Sequence, residues 1–223
     1  MLICLFYPKC FPPVFVRNPE GIAESADSET LHWMKRKAAE RNCAIAGSVA
    51  VCENGNYYNR FYFVHPDGAV QHYDKKHLFT FGGEHKRFTA GTERVVVNFR
   101  GVRILLEVCY DLRFPVWSRN LGDYDMILYV ASWPTPRVDA WSALLRARAI
   151  ENQCYVAGVN RMGTDPACEY SGGSAIIDPY GKTIAECPWS RESAVSADID
   201  MEALQAFRKK FPVLDDADPF TLI

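Results

Sequence analysis

Three observations in this sequence predict an α/β fold built on a mixed sheet. Apolar runs of strand length recur along the chain, and several are joined by turn residues as hairpins. Stretches with helical spacing of apolar residues lie between those runs. Hydrophobic residues make up 48% of 223 residues, enough to bury a sizeable core.

In chain order, Thr30 to Asn42 reads as a helix, with Leu31, Met34 and Ala38 on one face and Asp27 or Ser28 as the cap. Cys43 to Val51 is an apolar run bounded by turn residues, as in a buried strand. Tyr57 to His65 alternates as a strand, Pro66-Asp67-Gly68 turns, and Ala69 to Tyr73 returns beside it. A loop rich in glycine, histidine and charge runs from His77 to Gly91. Arg94 to Phe99 and Val102 to Val108 form a second hairpin about Arg100-Gly101. Asp125 to Ser132 is a strand, Arg137 to Gln153 a helix carrying Trp141, Leu144, Leu145 and Ile150, and Cys154 to Val159 a strand. Gly173 to Asp178 and Lys182 to Glu186 pair about Pro179-Tyr180-Gly181. Ala194 to Ile199 is expected as a last strand, followed by a helix capped by Asp200 and ending near Lys210. No linker or repeat divides the chain, so a single domain is expected.

Charge and cysteine content narrow the function. A net charge of −2 gives no basic field for nucleic acid. The apolar stretch from Met1 to Val16 is interrupted by Lys9, has no basic leader region, and is too short to span a bilayer. Neither a nucleic-acid nor a membrane partner is expected. None of the eight cysteines forms a Cys-x-x-Cys pair, so no metal is expected; reduced thiols and a cytoplasmic setting are. A secreted module stapled by disulfides is the alternative, and it would lack free thiols.

Two places carry chemistry. Cys109 follows the strand run Val102 to Val108 and opens the polar turn Tyr110-Asp111-Leu112-Arg113. A thiol there is presented to a pocket, and its thiolate attacks a carbonyl or nitrile carbon once a nearby cation lowers its pKa. Position alone favours an inert buried cysteine. The second place is Tyr73-Asp74-Lys75-Lys76-His77-Leu78-Phe79. Alone it reads as a solvated turn with a structural histidine.

Taken together and in order, these motifs resemble the nitrilase superfamily of carbon–nitrogen hydrolases. The resemblance rests on Tyr73 to Phe79, Glu84, and Cys109-Tyr110-Asp111-Leu112-Arg113-Phe114-Pro115. Pro115 to Asn120, Ala131-Ser132-Trp133-Pro134, Arg148 to Gln153 and Asn160-Arg161-Met162-Gly163 resemble its omega-amidase branch, which acts on 2-oxoglutaramate. The resemblance implies an α-β-β-α sandwich, no cofactor, and a homodimer or higher homo-oligomer. It also implies a small-molecule substrate, an omega-amide of a dicarboxylate. Cys109 is then the nucleophile. Lys75 and the backbone N–H of Tyr110 hold the oxyanion, and Lys75 favours the thiolate. Glu84 supports Lys75. Arg113 is placed either to bind a substrate carboxylate or to pair with Asp111, and Trp133 either to line the pocket mouth or to fill the core. His85 has no role. Another amidase, a carbamoylase, a nitrilase, or a non-catalytic relic stand as alternatives.

The N-terminal segment departs from the family. A glutamate in a motif like Leu-Pro-Glu-Met-Phe-x-x-Gly-Phe is the family's general base, and this chain carries Lys9 in that place. Reread from the third base of each codon, residues 6–15 admit Leu-Pro-Glu-Met-Phe-Ser-Thr-Gly-Phe. The expectation is that residues 1–15 are an out-of-frame reading of the catalytic segment, with one or more N-terminal strands lost and activity impaired. Should the segment pair as a strand, Lys9 is expected near Cys109, facing Lys75.

Overall fold

The computed structural model describes residues 3–5 and 18–221. Its strands are β1 (Ile3–Leu5), β2 (Glu24–Ser25), β3 (Ala44–Glu53), β4 (Asn56–Val64), β5 (Val70–Asp74), β6 (Val96–Phe99) and β7 (Val102–Val108). They continue as β8 (Met126–Ala131), β9 (Tyr155–Asn160), β10 (Met162–Thr164), β11 (Glu169–Ser171), β12 (Ala175–Ile177) and β13 (Thr183–Glu186). The helices are α1 (Glu29–Arg41), α2 (Val138–Glu151) and α3 (Met201–Lys210).

Two mixed sheets result. One runs β1-β3-β4-β5, with β2 also on β3; the other runs β13-β12-β9-β8-β7-β6. Strands β7, β8 and β9 are parallel neighbours, and β1 lies parallel to β3 from Ile3 opposite Ala44 to Leu5 opposite Ala46.

Alternation along the strands builds the layers. On β3, Ala44 and Ala46 face the second sheet, packing with Phe61, Phe63 and Tyr73 against Ile104, Leu106, Val108 and Leu128. Ile45, Val49 and Val51 turn to the other side, where α1 covers them with Leu31, Met34 and Ala38. On β7, Leu105 faces outward into a cluster of Ile127, Tyr129 and Val156 capped by Trp141, Leu145 and Ala149 of α2. The order helix, sheet, sheet, helix is the sandwich that the resemblance implied. Gly158 lets α2 come close, since a Cβ there would stand 2.6 Å from Leu145 and 2.8 Å from Trp141.

Most element boundaries fall within a residue or two of expectation. Ser28, not Asp27, caps α1 by accepting from the Leu31 N–H at 3.2 Å. Two expectations need correction. Ala194 to Ile199 is not a strand: these residues are mostly exposed and meet no sheet edge. A β10–β11 hairpin stands where none was expected, its turn organised by Asp165, which accepts from the N–H groups of Ala167 and Cys168 and from the Tyr170 hydroxyl. The expectation for Lys9 lies outside the described residues.

Candidate active site

The site lies beyond the C-terminal ends of β7 and β8, the edge of an α/β sheet where crevices form. β7 ends at Val108, and Cys109 then takes φ 50°, the left-handed region a β-carbon disfavours. A short 3-10 turn, Cys109–Arg113, carries the chain away. The residue is only partly buried and packs against both inner clusters, and its Sγ lies 3.9 Å from the Ser132 carbonyl at the end of β8. Such local strain persists only where the surroundings fix it.

Asp111 does the fixing. It is wholly buried, and its carboxylate accepts four donors. Val108 N–H and the Tyr73 hydroxyl reach Oδ2 at 3.0 and 2.9 Å. The His77 N–H and Nδ1 reach Oδ1 at 2.9 and 2.8 Å. The Tyr73 oxygen in turn accepts from Lys76 N–H and Trp117 Nε1, and the His77 ring lies flat on Phe114 with centroids 3.8 Å apart. One carboxylate thus ties the thiol's turn to the loop that follows β5. His77 is structural.

Lys75 leaves the end of β5 with its backbone held on both sides. Its N–H donates to Asn59 O at 2.9 Å, and its carbonyl accepts from Gly91 N–H at 2.9 Å. Its Nζ is buried and meets Glu84 Oε2 at 2.6 Å. Glu84 also accepts the Phe79 N–H at 2.6 Å and the Asn59 amide at 3.4 Å. Burial opposes the Lys75 charge, but Glu84, followed by Cys109 and Asp111, outweighs it and holds the ammonium above its ordinary range. Burial pushes the Cys109 thiol up; Lys75 pulls it back, Glu84 adds to the rise, and the net is upward. Lys75 therefore opposes the effect of burial without prevailing. The Cys109 sulfur thus feels opposing influences, burial and Glu84 on one side and Lys75 on the other.

The remaining expected residues separate. Tyr110 places its ring edge-on to Phe79 at 5.0 Å and to Phe114 at 5.1 Å. Arg113 does not pair with Asp111, whose oxygens are taken; it is exposed and stacks over the Trp133 ring at 4.8 Å. Trp133 belongs to the core cluster under α2 and also offers its ring to Arg113. Its N–H donates to Asn160 Oδ1 at 2.7 Å, and its Nε1 to the Arg137 carbonyl at 2.6 Å. His85 is exposed. The positioning residues Asp111 and Asn160 went unassigned from sequence, although both stand inside the motifs that carried the resemblance. Among the described residues, no group of His, Cys, Asp and Glu side chains is arranged to hold a metal, and no helix is long and apolar enough to cross a membrane.

Comparison with known proteins meets this geometry. The family model described as carbon-nitrogen hydrolase matches residues 4–209. The omega-amidase YafV of Escherichia coli (strain K12) is 52% identical over 205 residues, 91% of this chain and 80% of that protein. The 2-oxoglutaramate amidase of Bacillus subtilis (strain 168) is 39% identical over 203 residues, 89% of this chain and 78% of that protein. Among solved structures, XC1258 from Xanthomonas campestris, a CN-hydrolase superfamily protein with an arsenic adduct in its active site, superposes with a TM-score of 0.87 at 46% identity. That match covers 90% of this chain and 78% of XC1258. Saccharomyces cerevisiae Nit3 shares the fold, with a TM-score of 0.77 at 23% identity over 83% of this chain and 70% of Nit3.

Proposed function

This chain belongs to the carbon–nitrogen hydrolase family, in the omega-amidase branch of the nitrilase superfamily, and from that premise we propose how it acts on amides. Cys109 is the nucleophile. Its sulfur bonds to the amide carbon, and the carbonyl oxygen takes the electron pair as an oxyanion. The Lys75 ammonium and the Tyr110 N–H are the donors for that charge. The intermediate collapses, the C–N bond breaks, and the nitrogen leaves as ammonia with the proton given up by the thiol. Water then cleaves the thioester to a carboxylic acid and restores the thiol. Glu84 keeps Lys75 charged and aimed. The observation that carries this reading is the buried Lys75–Glu84 pair at 2.6 Å, whose charge reaches a thiol held in a left-handed turn.

The substrate class we propose is a small omega-amide of a dicarboxylate, such as 2-oxoglutaramate or succinamate. The named activities of the E. coli and B. subtilis relatives support it, and Arg113 is the residue we assign to the carboxylate. Lys9 stands where the family's base would be, so we also propose that the chain as written is slow. We further propose a cytoplasmic homo-oligomer, which light scattering of the purified protein tests; a monomer at all concentrations refutes it.

The test of the chemistry is mass spectrometry of the protein quenched during turnover, beside ammonia release from amides, carbamoyl compounds and nitriles. The expected result is an acyl adduct on Cys109, absent in Cys109→Ser, and ammonia from omega-amides first. Turnover of nitriles or carbamoyl compounds with omega-amides untouched would refute the substrate class. Turnover persisting in Cys109→Ser would refute the nucleophile.

A further inference from the structure

Arg137 is a partly buried cation that the chemistry above leaves unused. Its guanidinium carbon lies 5.5 Å from the centre of the Phe79 ring. Phe79 donates its N–H to Glu84 and sets its ring against Tyr110. One residue, Phe79, thus links Arg137 to the carboxylate that holds Lys75, through its backbone, and to the residue that follows the thiol, through its ring. The Arg137 carbonyl accepts the Trp133 indole N–H, and the guanidinium of Arg113 rests on that same indole. Arg137 thus rests on the Phe79 ring, which meets Tyr110, while Arg113 rests on the Trp133 indole that donates to the Arg137 carbonyl.

Among the described residues, the buried or half-buried Arg60, Arg94, Arg103, Arg148, Arg161 and Arg208 each pair with a carboxylate and Arg119 donates to the Glu151 carbonyl, whereas Arg137 and Arg113 form no ion pair. A guanidinium laid on an aromatic face is partly desolvated, and its planar fork of N–H donors fits a carboxylate in two bonds.

We propose that Arg137 is a specificity-determining residue whose guanidinium, with Arg113 beside it, receives the carboxylate at the far end of the amide substrate. This rests on the dicarboxylate reading above and adds the residue that enforces it. An amide without that carboxylate leaves the fork unpaired, so selection is made through binding and not through the reacting atoms.

The test needs no turnover, so it works on the chain as written. Alkylation of Cys109 by iodoacetamide is followed by peptide mass spectrometry, which separates it from the other thiols. Succinate, a dicarboxylate product, and its neutral diamide are added as protecting ligands. In the wild type, succinate is expected to half-protect at about a tenth of the diamide concentration or less, the difference of one charge-assisted pair. With each protein referred to its own unprotected rate, Arg137→Gln is expected to raise the succinate requirement about tenfold or more and leave the diamide requirement unchanged. Succinate protection unchanged in Arg137→Gln overturns the assignment while the dicarboxylate reading stands. Equal protection of the wild type by both ligands removes the reading itself, and the assignment with it. If Arg137→Gln unfolds at a lower temperature than the wild type, Arg137→Met, which keeps an apolar stem over Phe79, replaces it with the same two readings.

Discussion

Replacing Asp111 with asparagine removes no volume and almost no area, so its cost isolates the hydrogen bonding of one buried carboxylate. The native group accepts two donors on each oxygen: Val108 N–H and the Tyr73 hydroxyl on one, the His77 N–H and Nδ1 on the other. An asparagine has one accepting oxygen and one donating nitrogen. Two of the four partners can adapt or rotate, because a histidine can change tautomer and a hydroxyl can turn. The two backbone N–H groups cannot, and they lie on opposite oxygens. Either amide orientation therefore sets its NH2 against a buried backbone N–H. A stranded buried donor costs about 1–3 kcal/mol, and a lost bond to a charged acceptor adds about 1.5–3 kcal/mol. Together these predict a loss of about 2.5–6 kcal/mol, or ~5–24 °C in unfolding temperature for a domain of this size. The same bonds hold Cys109 in its left-handed turn, and a nucleophile displaced by about 1 Å loses roughly 10²-fold in rate. Scanning calorimetry and the rate of Cys109 alkylation measure the two effects. If Asp111→Asn unfolds within about 2 °C of the wild type and alkylates at the same rate, the carboxylate does not organise the site and the argument fails.

Three further outcomes are expected. Glu107 is wholly buried on β7 opposite Tyr129, and neither of its oxygens has a hydrogen-bond partner among the described residues. Burial, then Asp111, holds its carboxyl well above the ordinary value of 4.5, against smaller pulls from Tyr129, Arg94 and Arg148. Because the folded pKa exceeds the unfolded one, the group's contribution is complete below pH 4.5 and is lost as pH rises towards the folded value. Glu107→Gln should therefore raise the unfolding temperature by about 2–4 °C per kcal/mol recovered near pH 8 and gain nothing in acid; equal gains at both pH values would rule this out. Gly91→Ala puts a Cβ 2.0 Å from the Asp74 carbonyl, at the point where Gly91 pins Lys75. A loss of about 1–3 kcal/mol by denaturant titration, with slower Cys109 alkylation, is expected, and wild-type values in both would show the contact to be soft. Restoring the reading frame through codons 6–15, so that Leu-Pro-Glu replaces the segment carrying Lys9, should raise kcat/KM for omega-amides by about 10²–10⁴; no gain would remove the general-base role assigned to that segment.

What the sequence made legible depends on how local the determining contacts are. Helix α1 was readable because Leu31, Met34 and Ala38 meet one face and Ser28 caps its own next turn. The β6–β7 hairpin was readable because Arg100-Gly101 closes it and Phe99 pairs with Val102. Ala194 to Ile199 has a similar apolar run, but no local signal tells whether a sheet edge lies within reach, and among the described residues it pairs with none. The β10–β11 hairpin escaped for the opposite reason: its order comes from the bonds of Asp165, not from alternation. At the proposed site, Cys109, Lys75 and Glu84 were singled out through their motif, since neither position nor charge separated them from inert residues. The motif did not disclose that Asp111 spends both oxygens on Tyr73, His77 and Val108, leaving Arg113 to Trp133. That follows only when β5 and β7, some thirty residues apart, are packed face to face. The consequence is chemical as well as structural. With Asp111 bound in this way, Arg113 and Arg137 form no ion pair among the described residues and rest on aromatic rings, which is what leaves them to the substrate carboxylate we propose.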